Sequence, residues 1–143
     1  MPYKFLENVA LADVAFEATA KTLAQLCEQA ALAVTNTMVK DLKSIKHRVS
    51  KEISLKAPDA EKLLFSFLEE LIYLKDAELL LFSKFEIGVK EAKGGFELAA
   101  MCYGEKLDMK KHELLVDVKA VTMHHYEVKQ SKSGWFARII LDI

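Results

Sequence analysis

At 143 residues the chain has room for one hydrophobic core and little room for two, and it reads as a single domain over residues 1–143. A composition of 52% hydrophobic and 29% charged residues excludes a disordered chain, and no apolar run approaches the ~20 residues of a membrane-spanning helix. With 20 basic against 21 acidic side chains the formal net charge is -1, so long-range attraction to a polyanion is weak and RNA is expected to be touched at most indirectly.

The opening MPYKFLENVALADV carries charges where a signal peptide would be apolar, which points to the cytoplasm. Tyr3 to Glu7 reads as a short strand, and Phe16, Ala18 and Ala20 continue a second extended piece beyond a loop that holds Asp13. From Lys21 to about Val39 the residues Leu23, Leu26, Cys27, Ala30, Ala31, Val34 and Met38 recur at three- and four-residue steps and predict an amphipathic helix. Ser44 to Leu55 alternates as a half-exposed strand, with a break near Lys51 that suggests a bulge. Pro58 marks the start of a second helix, with Asp59 and Glu61 in its first turn and Leu63, Leu64, Phe67, Leu68, Leu71 and Ile72 as its buried stripe.

Leu79 to Lys90 and Phe96 to Tyr103 flank Gly94-Gly95 as a hairpin. Leu114 to Val128 predicts a strand with Leu114, Val116, Val118, Ala120 and Val128 on its core face. Asp117, Lys119, Glu127 and Lys129 take the wet face. After a turn over Ser131 to Gly134, Trp135 to Ile143 forms a last strand. The sum is an α+β domain, an antiparallel-rich sheet layered with two amphipathic helices. Cys27 and Cys102, far apart and outside any metal-binding spacing, read as reduced buried hydrophobes.

No GxSxG, P-loop or HExxH motif occurs. Two carboxylates stand out. Asp13 lies among small and apolar residues, where an unpaired charge is costly, and Asp142 precedes Ile143, which brings a side-chain carboxylate and the α-carboxylate within one residue. Read from spacing alone, Asp13 more often caps a helix or turn and Asp142 is more often a solvated end. His124 shares the core parity of its strand and is expected to be a buried structural imidazole, with His125 facing solvent. His112 is expected to tie down a turn, and Lys119 to be a solubilising side chain.

These residues also carry a resemblance. Phe5-Leu6-Glu7 and Ala12-Asp13-Val14-Ala15-Phe16-Glu17-Ala18 resemble the opening of the archease family, and Phe67 to Leu74 with Asp76-Ala77-Glu78 is similar to its central helix. Gly104-Glu105, Leu107-Asp108, His112-Glu113, Val118 to Thr122, His124, Gly134-Trp135 and Leu141-Asp142-Ile143 follow in the family's order. The chain departs from the pattern at Asn8 to Leu11, where the family loop has a shorter His-Thr, and at Met123 and His125, where Tyr and Gly are usual.

The resemblance implies a cation site at Asp13, Asp142 and Ile143, the last through main-chain oxygens. Such oxygen ligands suit calcium, with magnesium or manganese as alternatives. Lys119 and His124 are the possible supporting residues. It further implies a non-catalytic activator of an RtcB-type RNA ligase in tRNA splicing, promoting guanylylation and multiple turnover. A small chaperone-like interaction module and a stand-alone metal-dependent phosphoesterase are the competing readings.

Overall fold

The computed structural model describes residues 2–6 and 13–143. Its elements are β1 (Tyr3–Leu6), β2 (Asp13–Ala20), α1 (Leu23–Met38), a 3-10 turn (Leu42–Ser44), β3 (Val49–Ala57), α2 (Ala60–Glu78), β4 (Leu80–Ala92), β5 (Gly95–Lys106), β6 (Ala120–Ser131) and β7 (Gly134–Asp142). The α+β layering expected from the sequence is present. The strands form two antiparallel sheets, ordered β1-β2-β7-β6 and β3-β5-β4. Each helix touches both sheets, α1 through β2 and β4 and α2 through β6 and β3, so one apolar cluster runs through the molecule. Among the described residues no helix is long and apolar enough to cross a membrane.

Local chemistry sets the helix limits. Thr22 caps α1 in a reciprocal box: its hydroxyl accepts the Gln25 N–H at 3.1 Å and the Gln25 side chain accepts the Thr22 N–H at 3.3 Å. Asp59 caps α2 by accepting the Lys62 N–H at 2.8 Å, which leaves Pro58 just outside the helix. The predicted stripes are buried, including Leu26, Cys27, Leu63, Leu64, Phe67 and Leu68 at 0% exposure. Each large side chain of that kind contributes about 1.5–3 kcal/mol relative to exposure. Cys27 and Cys102 are both buried free thiols.

Three expectations are corrected. The third strand begins at Val49 rather than Ser44, because Asp41 accepts the Lys43 N–H at 3.0 Å and curls Leu42–Ser44 into a 3-10 turn that buries Ile45. No bulge interrupts β3 at Lys51. The irregularity lies across the sheet in β4, between Phe82 and Lys84, where the Ser83 hydroxyl turns to donate to the Ile45 carbonyl at 3.0 Å. Leu114 to Lys119 is not a strand: the Leu115 N–H bonds to Met38 at the end of α1, and Leu114, Leu115 and Val116 are 38%, 51% and 41% exposed. The predicted core parity therefore fails before β6 begins, and only Val118 of that run is buried.

Two close contacts fasten β5 to its surroundings. At Gly104 an added Cβ would sit 1.8 Å from the Leu81 carbonyl oxygen. Next to it, the buried Glu105 carboxylate accepts the Lys46 N–H at 2.8 Å and the His112 Nε2–H at 2.9 Å, and meets Lys111 at 2.7 Å and Arg48 at 3.2 Å. His112 is itself fixed: its Nδ1 accepts the Asp108 N–H at 3.0 Å, which assigns the proton to Nε2 and ties down the turn as expected. Burial opposes the charge on Glu105, but the bonds from Lys111, the Lys46 amide and His112 outweigh it and hold the carboxyl at about 2.

Gly104→Ala is expected to destabilise the fold by roughly 3 kcal/mol or more, read by urea unfolding, since backbone must shift to admit the methyl group. Glu105 supplies a pH signature. Because its folded-state value lies below that of the unfolded chain, its stabilisation is fully present above the ordinary carboxylate range and is lost as pH falls through about 2. Glu105→Gln should cost about 2 kcal/mol at neutral pH. That difference from the wild type should shrink towards zero in unfolding measurements carried down to the acid end of this window.

Candidate functional site

The register of β2 against β7 runs from Asp13 opposite Asp142 to Ala20 opposite Trp135. Directly opposed residues of an antiparallel pair project from the same face, so the two carboxylates share one side of the sheet at its end. That side also carries Glu17 and Arg138, whose side chains meet at 3.4 Å, while the alternate residues Phe16, Ala18, Ile139 and Leu141 enter the core. The contrast between the two rungs is informative. Glu17 faces an arginine; Asp13 faces another aspartate, and among the described residues no basic side chain forms an ion pair with either aspartate. Like charges directly opposed across strands are unfavourable unless a cation or a proton intervenes.

Asp13 thus opens a strand rather than standing in a loop or capping a helix, and the structure brings it to Asp142 as a shared cation would require. Both are half-buried, as is Ile143. Among the described residues no three His, Cys, Asp or Glu side chains cluster together, so the described side chains at this end offer two carboxylates. The Asn8 to Leu11 departure and Glu7 lie outside the described residues.

Lys119 joins this end through its backbone: its N–H donates to the Asp142 carbonyl at 2.8 Å, and the next residue, Ala120, is the β6 partner of Asp142. The Lys119 side chain is exposed. What holds this stretch is a residue that the sequence reading passed over. Lys75, on the buried stripe of α2 four positions after Leu71, donates to Asp117 at 2.6 Å, to the Val118 carbonyl at 2.8 Å, and to Asp76. Burial works against its charge, yet the bonds to Asp117 and Asp76 prevail and raise its pKa above the usual lysine value. A lysine at a helical core position was the available signal.

His124 is exposed, contrary to the expectation of a core imidazole. Between Thr122, opposite Ile140, and Glu127, opposite Arg138, β6 spends five steps where β7 spends two, and His125 takes a left-handed conformation at φ 52°. The bulge resets the alternation. It leaves His124 and His125 outside with ring centroids 4.2 Å apart, and Met123 64% exposed. His124 therefore lies further along the sheet edge than Ala120, the β6 residue opposite Asp142.

The Archease protein family model matches residues 3–143. The chain is 36% identical to the Protein archease of Methanosarcina barkeri over 99% of this chain and 95% of that protein. It is 37% identical to the Protein archease of Pyrococcus furiosus over 92% and 93%. The solution structure of Methanobacterium thermoautotrophicum protein 1598 superposes with a TM-score of 0.85 at 32% identity, covering 99% of both chains. A crystal structure from Thermotoga maritima, described as an archease and possible chaperone, shares the fold at a TM-score of 0.63 and 16% identity, over 96% and 97%.

Lys75→Met is expected to destabilise the protein by about 1–3 kcal/mol by orphaning the Val118 carbonyl. It should also speed hydrogen exchange at the Lys119 amide selectively. Uniform protection in wild type and variant would show that Lys75 does not anchor this end.

Proposed function

The chain belongs to the archease family, and from that premise we propose that it is a non-catalytic activator of an RtcB-type RNA ligase, promoting the ligase's guanylylation and multiple turnover in tRNA splicing. The observation that carries the reading is the pairing of Asp13 with Asp142 on one face at one end of the molecule. The donor chemistry fits a hard cation: two carboxylates with no basic partner among the described residues, beside the main-chain oxygens of Ile143. Calcium, magnesium or manganese would be held there, and zinc would not. Bound, such an ion supplies positive charge for phosphoryl oxygens.

The chain's own residues do the positioning. The β2–β7 rungs set the two carboxylates opposite each other, and the Lys119 N–H donates to the Asp142 carbonyl, tying the end of β7 to the approach to β6. Lys75 braces the segment behind them. The result is an acidic end held in register by neighbouring strands and suited to approaching a nucleotide-binding cleft in a cytoplasmic partner. The phosphoesterase reading needs a base beside the carboxylates, and His124 stands apart on the edge bulge. One observation favours the chaperone reading: Leu114, Leu115 and Val116 form a consecutive exposed apolar run.

Single-turnover guanylylation of the ligase, with and without this protein, tests the proposal. Asp13→Asn and Asp142→Asn should each lose the stimulation and weaken calcium or manganese binding more than about tenfold in calorimetry. The melting temperature without metal should hold or rise slightly as repulsion is relieved. Undiminished stimulation by the double variant would remove the site from the mechanism, and protection of an unrelated aggregating client without ligase would favour the chaperone.

A further inference from the structure

The near-zero net charge conceals a local excess. Residues 43–51 carry Lys43, Lys46, Arg48 and Lys51 with no acid, and residues 105–111 carry Lys106, Lys110 and Lys111 against Glu105 and Asp108. The pairing of Val49 with Gly104 brings these two segments together. Between them lies a cleft of about 910 Å3 walled by Arg48, Lys106, Lys110 and Lys111. A neighbouring cleft of about 380 Å3 is lined by Lys43, Lys46 and His47.

The two acids offset only part of this charge. Glu105 is buried and pairs with Arg48 at 3.2 Å and Lys111 at 2.7 Å, and the exposed Asp108 carboxylate accepts the Lys110 backbone N–H at 2.9 Å without an ion pair to a lysine. Lys51 is satisfied by Glu78 at 3.2 Å. Among the described residues, Lys46, Lys106 and Lys110 have no acidic partner, and all three are exposed. Beside them the exposed His47 ring lies 6.4 Å from that of Tyr103, and Lys84 sits 5.2 Å over the Tyr103 ring.

We propose that this surface binds the phosphate backbone of single-stranded RNA, with Lys46, Lys106 and Lys110 tracking successive phosphates and His47 offering a ring to a base. Unpaired lysines along two neighbouring clefts suit a repeating anion, and the exposed His47 ring beside them suits a nucleotide better than an acidic side chain. The proposal makes the contact with RNA direct, where the net charge led to the expectation of at most an indirect one. It depends on neither the cation site nor the ligase.

The test is fluorescence anisotropy of labelled single-stranded RNA with the protein alone, from about 50 to 200 mM KCl. Three or four phosphate contacts predict a slope of log affinity against log salt of about -2 to -3. Lys106→Glu/Lys110→Glu, both exposed, should weaken binding more than about tenfold with an unchanged circular dichroism spectrum. His47→Ala should weaken RNA binding while leaving inorganic polyphosphate binding unchanged, and Asp13→Asn should leave both intact. No RNA binding at the lowest salt, or wild-type affinity in the lysine double variant, would overturn the proposal. So would an effect of the double variant on ligase capture without any RNA binding by the wild type, which would make the surface a protein contact.

Discussion

The pairing of β2 with β7 is the constraint on which the rest depends. Its eight rungs close the four-stranded sheet and send Phe16, Ala18, Ile139 and Leu141 to the helices. They also leave Asp13 and Asp142 side by side on the other face. Because side chains alternate with a period of two, a one-residue slip of β7 would turn Leu141 out and Asp142 inward, sacrificing packing and burying an unpaired charge. Core packing and the geometry of the carboxylates are therefore two expressions of one register. The burial of a few large hydrophobes enforces a placement of charges that is unfavourable by itself.

The second sheet hangs on a different contact. Gly104 permits β5 to approach Leu81 closely, and Glu105 beside it gathers the Lys46 amide, Arg48, Lys111 and His112 into one buried arrangement. Its charge is held by bonds rather than by hydration, so the turn after β5 and the approach to β3 are locked together. The same carboxylate pairs with two of the cations that line the cleft, Arg48 and Lys111.

Helices were legible in the sequence because their signals are local. The stripe from Leu63 to Ile72 and the three- and four-residue steps from Leu23 to Met38 need no knowledge of distant partners. The β4–β5 hairpin was legible for the same reason, with Gly94 at φ 84° in its turn. The strand reading failed where distant contacts decide the outcome. Leu114 and Val116 have the right alternation, but the end of α1 captures Leu115 before the chain reaches the sheet. At His124 the parity is broken by residues inserted in a bulge, which alternation cannot reveal. Asp13 and Asp142 were singled out as charges in apolar surroundings. Lys75 was hidden because a single lysine in an apolar stripe looks like a polar interruption until Asp117 and Val118 are seen to receive it.

The partners in the carboxylate rung lie 129 positions apart (142 minus 13), and this separation sets an order during synthesis. Local elements such as α1 and the β4–β5 hairpin can form while the chain is still being made, whereas β2 has no β7 to pair with until every residue between them has emerged. Closing so long a loop is entropically slow and belongs among the last folding events. Functional competence and completion of the tertiary structure therefore coincide: a nascent or prematurely ended chain can be substantially folded and still present no paired acidic end to a partner.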